Sequence, residues 1–377
     1  MNGVRLGFFV AAVIVGARVG DAQAPPARVA VAAITMGADN DDVSRGAFAE
    51  IGAARFGSDG SIYAIDPGEC KVKQFSSTGR FVRSFGGSGG GPSEFSCRNL
   101  RLDVKDETVV VTDPTQARTV HFSREGRAAK TVPLPDFPGD YGVVRTVPLR
   151  YGFGVRIRTG AEAAPPRRDS LQRLVVRKLN EPRADTIANY RADDVAVEFV
   201  TGRRLGAPTG LGYGGAWTAC GDSAVVVADG YAGAVTWYRI TATGPRLARS
   251  ATLGRTGALL TSDERRDAMT RVRTSRAVTS EQGVGRAGEI KSISALPTMW
   301  SVVWSVRCGD DGAVWVGMQD KLAPRTEWTV FPPTGSAYTV TLPENFSFRS
   351  ARGDFVLGRT VTEDEVPVLR VYRLVAR

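Results

Sequence analysis

One unit recurs along this chain: a short β run, a turn, a second β run, then aromatic-x-x-x-Gly. It reads GSDGSIYAID (57–66) followed by KVKQFSSTGRFVRSF (71–85), and again VKDETVVVTD (104–113) followed by RTVHFSREGRAAKTV (118–132). CGDSAVVVAD (220–229) repeats the first half, and CGDDGAVWVG (308–317) with EWTVFPPTGSAYTVTL (327–342) repeats the whole. The interval from Asp66 to Phe75 equals that from Asp113 to Phe122. Repeats of about 40–50 residues, each of four short strands, cannot bury their apolar faces alone and stack around an axis as a β-propeller.

The expected fold is all-β, a six-bladed β-propeller of four-stranded antiparallel blades. The blades fall at about 48–85, 96–134, 143–190, 213–253, 298–342 and 346–374. Apolar alternation at Ile62-Ala64 and Val72-Gln74 fits half-buried strands, and Asp-Gly and Thr-Gly supply the positive-φ residues of tight hairpins. The last blade is one strand short. RVAVAAITM (28–36) offers the missing strand, so the N-terminal strand is expected to close the last blade as its outermost member. That closure removes a free sheet edge. Between blades 4 and 5, residues 256–294 form an insertion. Thr261-Ser262-Asp263-Glu264 reads as a capping box, and Ala268, Met269 and Val272 share one face of the helix that follows. The insertion lies on the top face of the propeller, either as packing or as a lid.

The passage from blade 1 to blade 2, GGSGGGPSEFSCRNL (86–100), carries Gly86, Gly89, Gly91, Pro92, Glu94 and Phe95. This resembles NHL-type propellers, whose inter-blade connection reads G-x-G-x-G-P-x-E-F. Their Asp-loop-Arg-Val signature is met by Asp113 and Arg118, with Thr119 standing before Val120, and in blade 1 by Asp66 with Lys71-Val72. The likeness covers 48–132 well and the rest loosely. It implies the fold and is nearly silent on activity, since one fold serves many functions.

Residues 1–24 read as an export signal. Arg5 is the positive head, Leu6 to Val15 an apolar run too short to span a bilayer, and Ala22-Gln23-Ala24 a cleavage site. A propeller domain of 25–377 then follows, in a periplasm or outside the cell. No other stretch is long and apolar enough for a membrane helix. Lys and Arg number 49 against 39 Asp and Glu, but the arginines are scattered with no interleaved aromatic block, so no nucleic-acid partner is expected. Four cysteines in an exported chain allow two disulfides. Cys70 ends the b–c turn of blade 1 and Cys97 opens blade 2. Cys220 and Cys308 end equivalent strands of blades 4 and 5. Cys70–Cys97 and Cys220–Cys308 are the expected pairs.

Chemistry-bearing motifs are few. His121 is the one histidine, which rules out a His-rich zinc or copper site. No G-x-S-x-G elbow follows a strand, and Gly87-Ser88-Gly89 is not followed by Gly-Lys-Ser/Thr. No catalytic residue is assigned. Calcium needs only oxygen ligands, and Asp66, Asp113 and Asp229 each end a second strand. The plainer reading is that each caps its own turn through backbone N–H groups. Arg98, Tyr213, Trp217, Tyr231, Trp300 and Trp304 are placed around the top of the channel, where aromatic faces and guanidinium forks would suit a protein or glycan ligand. The expected function is a non-catalytic binding or scaffold propeller without a cofactor. The alternative is a calcium-dependent propeller hydrolase acting on a lactone or ester.

Overall fold

The computed structural model describes residues 25–37, 46–105, 107–134, 147–149, 153–159, 171–178, 184–191, 194–200, 204–211, 214–275, 290–293, 295–321 and 323–377. The expected export signal, 1–24, lies outside them.

The chain opens with β1 (Ala27–Met36). A four-stranded antiparallel sheet follows: β2 (Ala54–Phe56), β3 (Ile62–Asp66), β4 (Lys71–Phe75) and β5 (Phe81–Phe85). The next is β6 (Arg101–Lys105), β7 (Thr108–Asp113), β8 (Arg118–Ser123) and β9 (Ala128–Pro133). A third comprises β10 (Val147–Pro148), β11 (Phe153–Thr159), β12 (Leu171–Lys178) and β13 (Ala184–Arg191). Then come β14 (Asp194–Phe199) and β15 (Arg204–Pro208), and the sheet β16 (Gly215–Cys220), β17 (Ala224–Asp229), β18 (Ala234–Thr241) and β19 (Gly244–Thr252). After β20 (Ala258–Leu259), helix α1 (Ser262–Thr274), β21 (Ile290–Ile293) and β22 (Met299–Trp300), the meander resumes. It runs β23 (Val303–Cys308), β24 (Val314–Met318), β25 (Glu327–Phe331) and β26 (Tyr338–Thr341), then β27 (Ser347–Arg352), β28 (Phe355–Val361) and β29 (Pro367–Ala376). The molecule is mostly β, with several four-stranded antiparallel sheets, an arrangement consistent with a propeller.

Burial within each sheet follows strand position. All five residues of β3 and of β24 are buried, because the second strand is covered on both faces. All six residues of β9, an outer strand, are exposed. The cores lie between successive sheets. Tyr63, Ile65 and Val72 of the first sheet pack on Leu102, Val111 and Val120 of the second. Trp315, Trp328 and Val330 pack on Phe348, Val356 and Tyr372. The last sheet meets the first, through Leu357, Leu369 and Val371 against Ala54, Ile62 and Phe75.

β1 lies antiparallel to β29, from Arg28 opposite Ala376 to Met36 opposite Leu369, with a bulge between Ala32 and Ile34. It is thus the fourth strand beside β27, β28 and β29. It also runs parallel to β26, with Ala27, Arg28 and Val29 opposite Thr339, Val340 and Thr341. One strand therefore fuses two four-stranded sets into a single eight-stranded sheet.

The helix forms where the capping box stands. Thr261 accepts from the Glu264 amide, and Glu264 accepts from the Thr261 amide. Its surroundings differ from a simple 256–294 insertion. β14, which precedes the fourth sheet in sequence, pairs on one edge with β15 and on the other with β21 beyond the helix. Ala268 and Val272 of α1 pack against Val197, Phe199, Ala207 and Leu211. Two chain segments thus build one outgrowth with its own core. The DVAVEF run alternates weakly, and its partner lies far along the chain, so a repeat-based reading leaves it unassigned.

Candidate functional site

The aspartates that end the second strands do the same structural work in three sheets. Asp66 is fully buried and accepts from the amides of Gly68 and Glu69 in its own turn, and from Ala49 and Glu50 at the entry to β2. Asp113 is fully buried and accepts from Thr115 and Gln116, and from the amide and hydroxyl of Ser96 before β6. Asp229 accepts from Tyr231 and Ala232, each at 2.8 Å. A carboxylate here satisfies backbone donors that the turn would otherwise bury unpaired. The three belong to separate sheets. Among the described residues, no group of three His, Cys, Asp or Glu side chains gathers as metal ligands.

Asp66 carries a further load. Lys73, also fully buried, places Nζ 3.0 Å from Asp66 and 3.0 Å from Glu69, and donates to the Ala47 carbonyl. The ring of Phe48 lies 5.2 Å from the ammonium.

The glycine-rich connection is equally structural. Phe95 is fully buried, and its ring lies where a Cβ on Gly86 would stand, 2.6 Å away. Gly86 has φ +90°, so glycine is required there twice over. Glu94 accepts from the Gly91 amide at 2.7 Å, and Arg118 donates to the carbonyls of Gly90 and Glu94. The arginine of the repeat signature thereby ties the second sheet to the connection that precedes it.

Both expected disulfides are present. Cys70 and Cys97 have Cα atoms 5.1 Å apart, and Cys220 and Cys308 5.4 Å apart. The second joins the first strands of two neighbouring sheets, β16 and β23, within the separation a disulfide tolerates.

The aromatic candidates divide. Trp300 is 2% exposed and belongs to the core of the outgrowth with Leu296 and Leu211. Trp304 is half-buried, stacks edge-on against Trp328 at 4.9 Å, and carries Arg325 over its ring at 5.7 Å. Trp217 in β16 is half-buried against Val227, Leu149 and Leu174. Arg98 is exposed just before β6. Tyr213 lies outside the described residues. Tyr231 is half-buried in the β17–β18 turn, and its carbonyl accepts from the Gly257 amide at 2.9 Å. A Cβ on Gly257 would meet the Trp300 carbonyl at 2.5 Å and Tyr231 Cα at 3.2 Å. The chain at Gly257 therefore brings Tyr231 and Trp300 together. Trp217 and Trp304 pack in other parts of the fold.

Residues not singled out from sequence complete this corner. Leu259 is 75% exposed, the most exposed large apolar side chain described. Leu260, next in line, packs into the outgrowth core. Leu259 ends the short strand β20, both of whose residues are exposed, and the chain turns inward only at Leu260. Arg255 pairs with Glu327 at 3.1 Å. Lys321 donates to Glu264 at 2.8 Å, fastening the helix to the β24–β25 loop. That lysine, with the helix-start amide of Thr261, draws the Glu264 carboxyl down to about 2. His121, in β8, pairs with the Thr119 hydroxyl at 3.1 Å, and burial with the nearby Lys130 lowers its pKa.

No family model matches this chain, and no curated protein sequence matches it. Solved structures with related shape include a candidate exported protein of Bacteroides fragilis (12% identity over 90% of this chain and 94% of that one, TM-score 0.44). A streptogramin B lyase matches at 12% identity over 86% of this chain and 93% of that one, with TM-score 0.35. A calcium-binding regucalcin of Agrobacterium tumefaciens matches at 10% identity over 93% of this chain and 97% of that one, with TM-score 0.38. Scores this low leave the activities of those proteins with those proteins.

Proposed function

We propose that this chain is an exported six-bladed β-propeller, residues 25–377 after removal of a signal at 1–24. We propose further that it is a non-catalytic binding or scaffold module for a polypeptide or glycan. The six blades are the sheets β2–β5, β6–β9, β10–β13, β16–β19 and β23–β26, and the set β27–β29 with β1 outermost. Among the described residues, cores shared by five of the six neighbouring pairs, the last sheet on the first included, support a ring. The NHL-type likeness rests on the first two blades. Two disulfides favour an oxidising compartment, periplasmic or extracellular. No helix among the described residues is long and apolar enough to cross a membrane.

The observation that carries the binding reading is the outgrowth. β14, β15, β21 and α1 have a core of their own, standing off the blade ladders and fastened beside Tyr231. Rigid blades holding a variable appendage is how scaffolds present recognition surface. Leu259, Arg255 and Tyr231 are the proposed contact residues, with Trp300 beneath them as support. Arg98, Trp217 and Trp304 are outlying candidates.

The test is a screen of the mature protein against glycan and peptide arrays, repeated with Leu259→Asp. The expected result is retention of one ligand class by the native protein and at least a tenfold loss of affinity in the variant, with its melting temperature unchanged. Retention unaffected by the variant would overturn the assignment of the surface. Calcium-dependent turnover of esters or lactones would overturn the non-catalytic reading.

A further inference from the structure

Strands β2, β23 and β27, each the first of its four-stranded set, bring together a group of arginines. Arg55 lies in β2, Arg349 in β27 and Arg307 in β23, and Arg359 lies in β28 next to Arg349's strand. β27 runs beside both β2 and β23. The arginines interlock through backbone: Arg55 donates to the Arg349 carbonyl at 2.6 Å, and Arg349 donates to the Ile51 carbonyl at 3.2 Å. The fields of Arg359, Arg307 and Arg55 all bear on Arg349.

Among the described residues, the carboxylate that pairs with Arg55 is that of Asp310. Asp310 Oδ1 lies 3.6 Å from Arg55, while its Oδ2 accepts from the Phe56 amide and the Ser350 hydroxyl. Burial raises its pKa, and Asp103 is the next carboxylate to act on it. Meanwhile Nε of Arg349 and Nε of Arg359 are buried and meet no hydrogen-bond acceptor among the described residues. Arginine cannot shed its proton to relieve this, as a lysine could. Burial and the three neighbouring cations bring Arg349 down to about 10, the mark of a charge held without enough compensation. Packed like charges with orphaned donors are costly unless something negative completes them. The group reaches the surface, since Arg307 is exposed, the Arg55 side chain is 29% exposed, and Arg349 and Arg359 are half-buried.

We propose that Arg55, Arg349 and Arg359 form a binding site for an oxyanion, a carboxylate, phosphate or sulfate group, with Arg307 at its open side. Guanidinium forks match such groups with paired N–H donors, which a point-charge lysine does not. The proposal stands apart from the outgrowth surface and would survive its failure.

Thermal unfolding of the mature protein at fixed ionic strength tests it, with sodium phosphate, sodium sulfate and sodium malonate against sodium chloride. The expected result is a saturable rise of about 2 °C or more with at least one oxyanion. Arg359→Gln should abolish the rise and leave the chloride baseline equal or higher, because it removes repulsion. Arg307→Gln is the second variant, expected to weaken the apparent affinity several-fold. Calorimetric titration with the same salts reads binding directly. Which of the salts saturates at the lowest concentration separates a carboxylate ligand from a phosphate or sulfate one. A rise that never saturates, or that persists unchanged in Arg359→Gln, would be a general salt effect and would overturn the site. So would the absence of any heat of binding.

Discussion

Asp66 and Lys73 show how a repeat position acquires an individual burden. All three repeat aspartates hold turn amides, but only Asp66 also neutralises a lysine with no solvent contact. Asp66→Ala should therefore cost about 3–5 kcal/mol, because it leaves the buried lysine only the half-exposed Glu69 as a partner and frees the turn amides. Adding Lys73→Met should recover part of that loss. Urea unfolding of the single and double variants reads this coupling, and strictly additive losses would contradict it. His121 offers a second residue-scale test. Burial favours its neutral form, so the folded pKa lies below the unfolded one. Stability is then fully present above the unfolded value and declines as pH falls through the folded one. As the single histidine, it is the one side chain whose ordinary pKa falls between about pH 5.5 and 7.5. His121→Gln should flatten the melting temperature across that window, and an unchanged slope would assign the dependence elsewhere. The roles of the aspartates were legible from the turn they end. The lysine partner was not, because its burial depends on the segment before β2 folding over it.

Among the elements, the glycine-rich connection is the part where motif and structure agree most closely. Phe95 fills a space that only Gly86 leaves open, and it joins the core between the first two sheets. Phe95→Ala should cost about 3–5 kcal/mol. The check is chemical denaturation, where a loss below about 1 kcal/mol would show that the ring is not a core plug. The helix was readable from local chemistry, since a capping box and an apolar face need no distant partner. The sheet beneath it was not. β14 finds β21 only after the whole fourth sheet has intervened, and long-range pairing of weakly alternating strands leaves little local trace. The described aromatic candidates divide for a related reason. A tryptophan near a strand start looks the same in sequence whether it faces a ligand or a neighbouring sheet. Packing against Val197 and Leu211 placed Trp300 inside.

For the whole molecule, the repeat predicts a stack of sheets, and the shortage of one strand at the C-terminus predicts where the N-terminus goes. The structure adds that β1 also touches β26, so the closing strand seals two sheets rather than one. The disulfides act in the same sense, each joining neighbouring sheets or their connections. Closure by β1 is the claim on which the reading of a single ring rests, and it fixes a register. Val29 stands directly opposite Val375, and both side chains are partly exposed. The decisive measurement is non-reducing peptide mapping of the double variant Val29→Cys/Val375→Cys in the mature protein. The account predicts that in a glutathione redox buffer the two introduced cysteines are oxidised to a bridge with each other, glutathione disulfide taking the two electrons, alongside intact Cys70–Cys97 and Cys220–Cys308. Free thiols at both substituted positions, or exchange of the introduced cysteines with the native four, would contradict closure by the N-terminal strand.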